Sequence, residues 1–486
     1  MLSAMVENIR NMERQSIAAG TPVYLLMRRA GEKAAAWIGK YYADAVRFVL
    51  LCGGGNNGGD ALVAAAELSK KFPVHIYSVR ELSGFGNCAA CAAKDLPSDI
   101  PFEVRDSLSS ADFRSGDVIV DGLLGIGFSG GTLRENVKSF IHAANNSHCP
   151  VVALDLPSGI NGDTGEASPD GAVNAEVTLT FGRPKNGLFR GAGALLRGAL
   201  RVIDIGLNEY RCSGMEIMTN CDAVKLLPSM ARDCHKNLRG RVLIWGGSPE
   251  YPGAPALSTS GALRSGAGMV RTVSEADLTG RVPNAAIVRK LFSGETPEDW
   301  FVLSDVLVCG CGWGGCANEK NLQTAWDFPG KLLLDADALN GLAHFPQIWK
   351  KRENVILTPH PGEAVRLATA FGVKNSGDRR ELSMALAEKL HAVVVLKGRD
   401  SIVAAPDGHA VIIAAGSPAL ATAGSGDVLA GVIGALAAGT DCFNAAVLGA
   451  YVHGIAGENA SGILIADDLP AEIGKTLERI RLNAVY

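Results

Sequence analysis

"VRFVLLCGGGNNGGDAL", residues 46–62, passes from an apolar, partly β-branched run into five glycines, two asparagines and an aspartate, and then into a helical pattern. Strand, tight turn and helix in that order open an α/β unit. Each glycine costs roughly 0.5–1 kcal/mol relative to alanine in regular structure. The cluster therefore marks backbone that must turn sharply or approach something closely. Gly53-x-Gly55-x-x-Gly58 fits the dinucleotide fingerprint, with Glu81 downstream. Asn56, Asn57 and Asp60 exceed what a pyrophosphate turn needs, and the plain alternative is that they cap a helix beginning near Gly58.

Working outward, "VHIYSV", "DVIVDGLL", "PVVALDL", "AEVTLTF" and "LRVIDIG" continue the alternation of strands with helical patterns. An irregular polar stretch follows Gly206, and a fresh series starts at "RGRVLIWGG", with "DVLVCG", "KLLLDAD", "NVILTPH", "AVVVLKG" and "SIVAAP". The expected architecture is α/β in two domains, with the boundary near residues 210–225. In open parallel sheets ligands bind beyond the C-terminal strand ends, where every unusual loop of this chain lies.

At 486 residues the chain is too long for one ordinary core, and its 47% hydrophobic content can fill two. Charged residues are 20% and the net charge is −4, so no basic field points to nucleic acid or an anionic membrane. The start lacks a secretory pattern, and the longest strongly apolar stretches, such as residues 428–440, fall short of a membrane span. A cytoplasmic protein with reduced thiols is expected. The Cys88/Cys91 pair and the Cys309, Cys311, Cys316 group lack a partner pair at metal-binding spacing, and read as structural cysteines.

Two further loops in the first half end in carboxylates. "IVDGLLGIGFSGG" carries Asp121, and "VVALDLPSGINGDTG" carries Asp155, Pro157, Ser158 and Gly159. A carboxylate at a buried strand end needs a cation, a ligand hydroxyl or backbone donors. "GGGNNGGDA", "DGLLGIGFSG", "LDLPSG" and "TFGRPKNGL" together resemble the NAD(P)H-hydrate epimerases over about the first 210 residues. The resemblance implies a Rossmann-like α/β/α domain over residues 1–212. It implies a damaged-nucleotide site lined by Asn56, Asn57, Gly58, Gly59, Asp60, Gly125, Ile126, Gly127, Phe128, Ser129, Gly130, Gly131 and Asp155. Asp155 would exchange the proton, and Asn57, Asp121 and Ser158 would hold potassium. Ala61 stands where that family usually has glycine.

In the second half, "GSPALATAGSGDVLAGVIGALAAG" sets Gly424-Ser425-Gly426-Asp427 at the head of an apolar helix. Free N–H groups and the positive helix end converge beside Asp427, as an anion hole with a base. The segment resembles the anion-hole motif of ribokinase-like kinases. With "YPGAPALSTSGALRSGAGMV", "CGCGWG", "LLLDADALN", "ILTPHPGEAVRL" and "VLKGRDSIV" it is similar to the ADP-dependent NAD(P)H-hydrate dehydratases, from about residue 225 onward.

The implied ribokinase-like domain spans residues 222–486. Its implied hydrate contacts are Ala267, Gly312, His360 and Asp427, and its nucleotide contacts Lys397, Gly398, Arg399, Asp400, Ser401 and Gly426. Asp335, Asp337 and Asn340 would support the phosphates or a metal. ADP would be the phosphoryl donor, with Mg²⁺ on its phosphates. The expected partners are hydrated NADH or NADPH and ADP, with no nucleic acid or membrane, in a homo-oligomer. Two other readings stand beside this one: a ribokinase-like kinase acting on a vitamin precursor, and a first half that only binds.

Overall fold

The computed structural model describes residues 1–86, 88–208, 214–228, 239–460 and 462–483. These form two compact units, Met1–Met215 and Glu216–Tyr486.

The first unit is built on seven parallel strands: β1 (Arg47–Cys52), β2 (Val74–Ser78), β3 (Phe102–Val104), β4 (Asp117–Gly122), β5 (Val151–Leu154), β6 (Val177–Phe181) and β7 (Ala199–Ile203). Their order is β3-β2-β1-β4-β5-β6-β7, so the chain reverses direction across the sheet between β1 and β4. Both faces of the sheet are covered, which is why β1 and β4–β6 read as unbroken buried runs rather than alternating ones. The register pairs Leu51 with Asp121 and Cys52 with Gly122, so the two loops at the reversal leave the sheet at one level.

The helix after β1 spans Asn56–Leu68 and starts two residues before the expected Gly58. Gly55 is its N-cap and no side chain caps it, so the asparagines are not used as caps. Three of the glycines serve packing. A Cβ on Gly53 would lie 1.9 Å from the Leu123 carbonyl, one on Gly58 1.8 Å from that of Gly53, and one on Gly59 2.7 Å from Met27. Ahead of the sheet, the helix Val6–Ala18 buries Val6, Ile9, Met12 and Ser16 on one face. Asp163 accepts its first N–H at 2.7 Å.

The second unit holds ten strands: β8 (Glu216–Ile217), β9 (Arg241–Trp245), β10 (Met269–Ser274), β11 (Ile287–Lys290), β12 (Val306–Cys309), β13 (Lys331–Leu334), β14 (Val355–Leu357), β15 (Val393–Leu396), β16 (Ser401–Ala404) and β17 (Ala410–Ile413). The order is β11-β10-β9-β12-β13-β14-β15-β16-β17-β8. β16 runs antiparallel to both β15 and β17, and the remaining pairs are parallel. Here the reversal falls between β9 and β12.

The helices Gly253–Arg264 and Ser425–Ala437 close against each other through small residues. A Cβ on Gly431 would lie 1.9 Å from the Ser258 carbonyl, and one on Gly261 2.6 Å from that of Val428. This contact sets where Asp427 stands. Gly431→Ala should therefore destabilise the second unit by about 1–3 kcal/mol, read as a lower denaturation midpoint, and an unchanged midpoint would contradict the close contact.

Candidate active sites

In the first unit the loops after β1, β4 and β5 surround a cavity of about 700 Å³. Asn56, Asn57, Asp60, Gly125, Ile126, Gly127, Phe128 and Asp155 line it. Gly58, Gly59, Ser129, Gly130 and Gly131 are not among its lining residues. Gly58 and Gly59 are buried in the packing described above. At the end of β2 it is Arg80, not Glu81, that reaches the cavity.

Asp155 has a left-handed backbone, φ 67°, which turns its side chain back over the sheet edge. Its Oδ1 accepts from the Phe181 N–H at 3.1 Å and from the Lys185 ammonium in a very short contact. Lys185 is 1% exposed and completes its donors on Thr180 Oγ1 at 3.2 Å and the Phe181 carbonyl at 3.1 Å. Asp60 and Glu13 line the same cavity. Burial, then the Asp155 charge, push the Asp60 carboxyl well above the usual carboxylate range and raise that of Glu13. The cavity thus holds three carboxylates, with one buried ammonium and the arginines Arg10, Arg80 and Arg134 along the same lining. Sequence reading missed Lys185, Glu13 and Arg10. Lys185 lies inside the quoted "TFGRPKNGL", whereas the other two come from a helix far upstream with no motif of its own.

Asp121 is wholly buried. The Ser158 hydroxyl donates to its Oδ1 at 2.6 Å and the Ser158 N–H to its Oδ2 at 2.8 Å. The Leu123 N–H adds a third donor at 3.1 Å, and burial still pushes the carboxyl up to about 6. Asn57 Nδ2 donates to the Leu124 carbonyl at 2.9 Å. Its Oδ1 is buried with no partner. The orphaned Asn57 amide oxygen, on the helix after β1, lies against the Leu123–Leu124 turn that Asp121 and Ser158 hold, and amide, carboxylate and hydroxyl oxygens together suit a hard, weakly charged cation.

In the second unit, four neighbouring strand ends supply one polar group each: Cys311 after β12, Asp335 after β13, Thr358 after β14 and Lys397 after β15. Asp335 Oδ1 accepts from the Thr358 hydroxyl at 2.7 Å and the Lys397 ammonium at 2.7 Å. Burial pulls Lys397 down, but Asp335 and Glu363 outweigh it and hold the ammonium above its ordinary value. A Cβ on Gly426 would lie 3.4 Å from Lys397 Nζ, so this ammonium meets the turn that carries Asp427. Burial first, then Asp335, push Asp427 up to about 7. Gly424, φ 90°, caps the helix Ser425–Ala437 without a side chain. The Ser425 hydroxyl donates back to the Leu420 carbonyl at 2.8 Å, and buried His453, pulled down to about 4, lies 3.0 Å from the Ser425 carbonyl.

Lys397, Gly398, Arg399 and Asp400 form the β15–β16 turn, and Ser401 opens β16. The turn carbonyls at Lys397 and Arg399 accept from Arg379, a residue the sequence did not single out. His360 is the N-cap of the helix Pro361–Phe371, accepting from the Gly362 N–H at 3.0 Å. Asp337 accepts from the Gly314 N–H at 2.8 Å, and Asn340 from Arg366 at 2.9 Å.

Ala267 is not brought to this site. It precedes β10, at the N-terminal edge of the sheet, and packs in the core. Ala254 is the alanine beside Gly312, whose Cβ position lies 2.8 Å from that of Ala254. Cys309 is buried within β12, as expected of a structural thiol, but Cys311 faces the carboxylates. Cys311, Asp335 and Asp427 each place one ligand atom within 4.8 Å of the others. A soft sulfur, with Lys397 already on Asp335, makes this a poor cage for a hard ion. Mg²⁺ would therefore arrive on nucleotide phosphates. Among the described residues no helix is long and apolar enough to cross a membrane.

A family model described as NAD(P)H-hydrate dehydratase matches residues 242–479, and one described as YjeF-related protein N-terminus matches residues 23–187. The bifunctional NAD(P)H-hydrate repair enzyme Nnr of Coxiella burnetii is 35% identical, over 95% of this chain and 96% of its own. The protein of that name from Escherichia coli is 34% identical, over 98% and 93%. Among solved structures, an ADP/ATP-dependent NAD(P)H-hydrate dehydratase of Bacillus subtilis, co-crystallised with ATP/Mg²⁺, is 28% identical over 55% of this chain and 99% of its own, with a TM-score of 0.45. Identity at this level along almost the whole chain shows that the chain belongs to the family of bifunctional NAD(P)H-hydrate repair enzymes.

Proposed function

We propose that the two strand-end sites divide one repair task between residues 1–212 and residues 222–486. The chain is a bifunctional nicotinamide-nucleotide repair enzyme: it interconverts the R and S forms of hydrated NAD(P)H and dehydrates the S form with ADP, giving NAD(P)H, AMP and phosphate. The observation that carries the residue assignment is the placement of Asp427, a partly desolvated carboxylate at an uncapped helix N-terminus, next to the Lys397–Asp335 pair.

The hydrate bears a hydroxyl on its reduced nicotinamide ring. Asp427 takes the hydroxyl proton as the oxygen attacks the terminal phosphorus of ADP, and AMP leaves. The Gly424–Gly426 turn and Lys397 stabilise the charge spread over the phosphoryl oxygens. Loss of phosphate from the ring, with a ring proton, then restores the double bond. Mg²⁺ would neutralise the phosphate oxygens when the nucleotide is bound.

In the first site, Asp155 is the proton-exchanging group, with Lys185 holding it to one orientation. Epimerisation passes through a ring-opened or dehydrated form whose hydroxyl returns to the other face. Asn57, Asp121 and Ser158 would hold potassium, which would order the Asn56–Asp60 turn. The buried, unpartnered Asn57 Oδ1 supports that reading.

Asp427→Asn should lower ADP-dependent release of NADH by about 10²–10⁴-fold, the usual worth of a positioned base, while epimerisation continues. Near-normal release would remove Asp427 from the role. Asp155→Asn should do the reverse, and an epimer-resolved assay in which both activities fell together at unchanged stability would contradict separate sites. Replacing potassium by a large organic cation at constant ionic strength should raise the ligand concentration needed for epimerisation and leave ADP use unaltered. Equal affinity in both salts would exclude the ion.

A further inference from the structure

Cys311 is wholly buried immediately after β12. Its flanking residues, Gly310 at φ 107° and Gly312 at φ 65°, occupy backbone that side chains resist. A Cβ on Gly310 would lie 2.0 Å from the Asp335 carbonyl, and the Cys311 carbonyl accepts from the Gly247 N–H at 2.8 Å. The main chain is thus fixed on both sides and aims the thiol into the site. Sγ lies 4.0 Å from Asp335 Oδ2, and the sulfur, one Asp335 oxygen and one Asp427 oxygen all lie within 4.8 Å of one another.

The donors around these carboxylates are unevenly shared. Asp335 already accepts from Thr358 and Lys397. Among the described residues the Asp427 carboxylate accepts no N–H or O–H hydrogen bond, and the thiol, which also lies at the 4.0 Å limit from Asp335 Oδ2, is the donor that acts on it. A base that must present one oxygen to a substrate hydroxyl needs its other oxygen held. We propose that Cys311 is a positioning residue of the dehydration site, its S–H donating to one oxygen of Asp427 and leaving the other to face the substrate. This rests on the assignment of Asp427 as the base. Burial and the two carboxylates hold the thiol well above its ordinary range, so it stays protonated and remains a donor.

The other groups acting on Asp427 are Asp335 and Asp337, which oppose its ionisation, and Lys397, which favours it. Glu363 acts on Lys397 from the neighbouring helix, Lys397 in turn lowers His360, and neutral His453 holds the Ser425 carbonyl behind the turn. Cys311→Ala leaves all of these in place and removes one donor to the ionised base. The acidic limb of kcat for dehydration, expected near 7 in the natural chain, should then move upward by about one pH unit, a roughly tenfold lower rate on that limb. Cys311→Ser should return it, since a hydroxyl can donate in the same place. Epimerisation by the same preparations checks that the chain is folded.

An unmoved limb in a folded Cys311→Ala chain would overturn the proposal. So would a raised KM for ADP with no change in the limb, which would assign the thiol to the Asp335–Lys397 pair instead. Should the alanine variant not fold, the infrared S–H band that vanishes in Cys311→Ser decides the matter. In the unaltered chain it should move to higher frequency on Asp427→Asn, and a band indifferent to that change would count against the contact. Full dehydration by Asp427→Asn itself would instead overturn the base assignment, so the two failures are distinct.

Discussion

Parallel strands in register end together, and whatever follows them must share one crowded edge. In the first unit the pairing of Leu51 with Asp121 brings the β1 and β4 loops into the same plane, close enough that residue 53 can carry no side chain. In the second, four adjacent strands each release one polar residue at the corresponding edge. Everything chemical in this chain follows from that crowding. Several of the residues gathered there are buried acids, Asp121, Asp155 and Asp335 among them.

Each buried acid is made tolerable in its own way, and the way determines what it can do. Asp121 is tied by Ser158 and a main-chain amide, which suits a structural or cation-holding group. Asp155 and Asp335 are matched with the ammonium groups of Lys185 and Lys397. Asp427 and Asp60 are the least compensated, and both are displaced toward the neutral form. An acid of this last kind, at a helix end where the loops leave room for a ligand, suits the removal of a hydroxyl proton proposed for Asp427, whereas Asp155 is held to its orientation by Lys185.

Much of this was legible in the sequence because strand-end loops announce themselves. β-branched runs fixed the central strands, and glycine clusters marked the neighbouring aspartates directly, Asp60 and Asp427 after the glycines and Asp121 and Asp155 before them. What stayed hidden depends on chain segments meeting across long separations. Lys185 reaches Asp155 from thirty residues away, and Glu13 enters from a helix whose only pattern is an ordinary apolar face. The antiparallel turn of β16 was unreadable because short apolar strands carry no direction. Ala267 failed for a different reason: "GAPALSTSGALRSGAGMV" offers several small residues, and only the helical rise between them tells which lies at the site end and which at the far edge. Cys311 looked like core because sulfur packs like core, and its two carboxylate neighbours come from other strands.

The left-handed backbone at Asp155 bears on how this domain would age in a gene copy released from selection. That conformation is one that glycine, asparagine and aspartate accept readily and most other residues resist, so an aspartate there can persist for folding reasons alone. No comparable conformational demand falls on residue 185, whose lysine is justified by the charge it faces. In descendants that have lost the reaction, the ammonium should vanish before the acid does, and a surviving aspartate at this turn is weak testimony to a working enzyme.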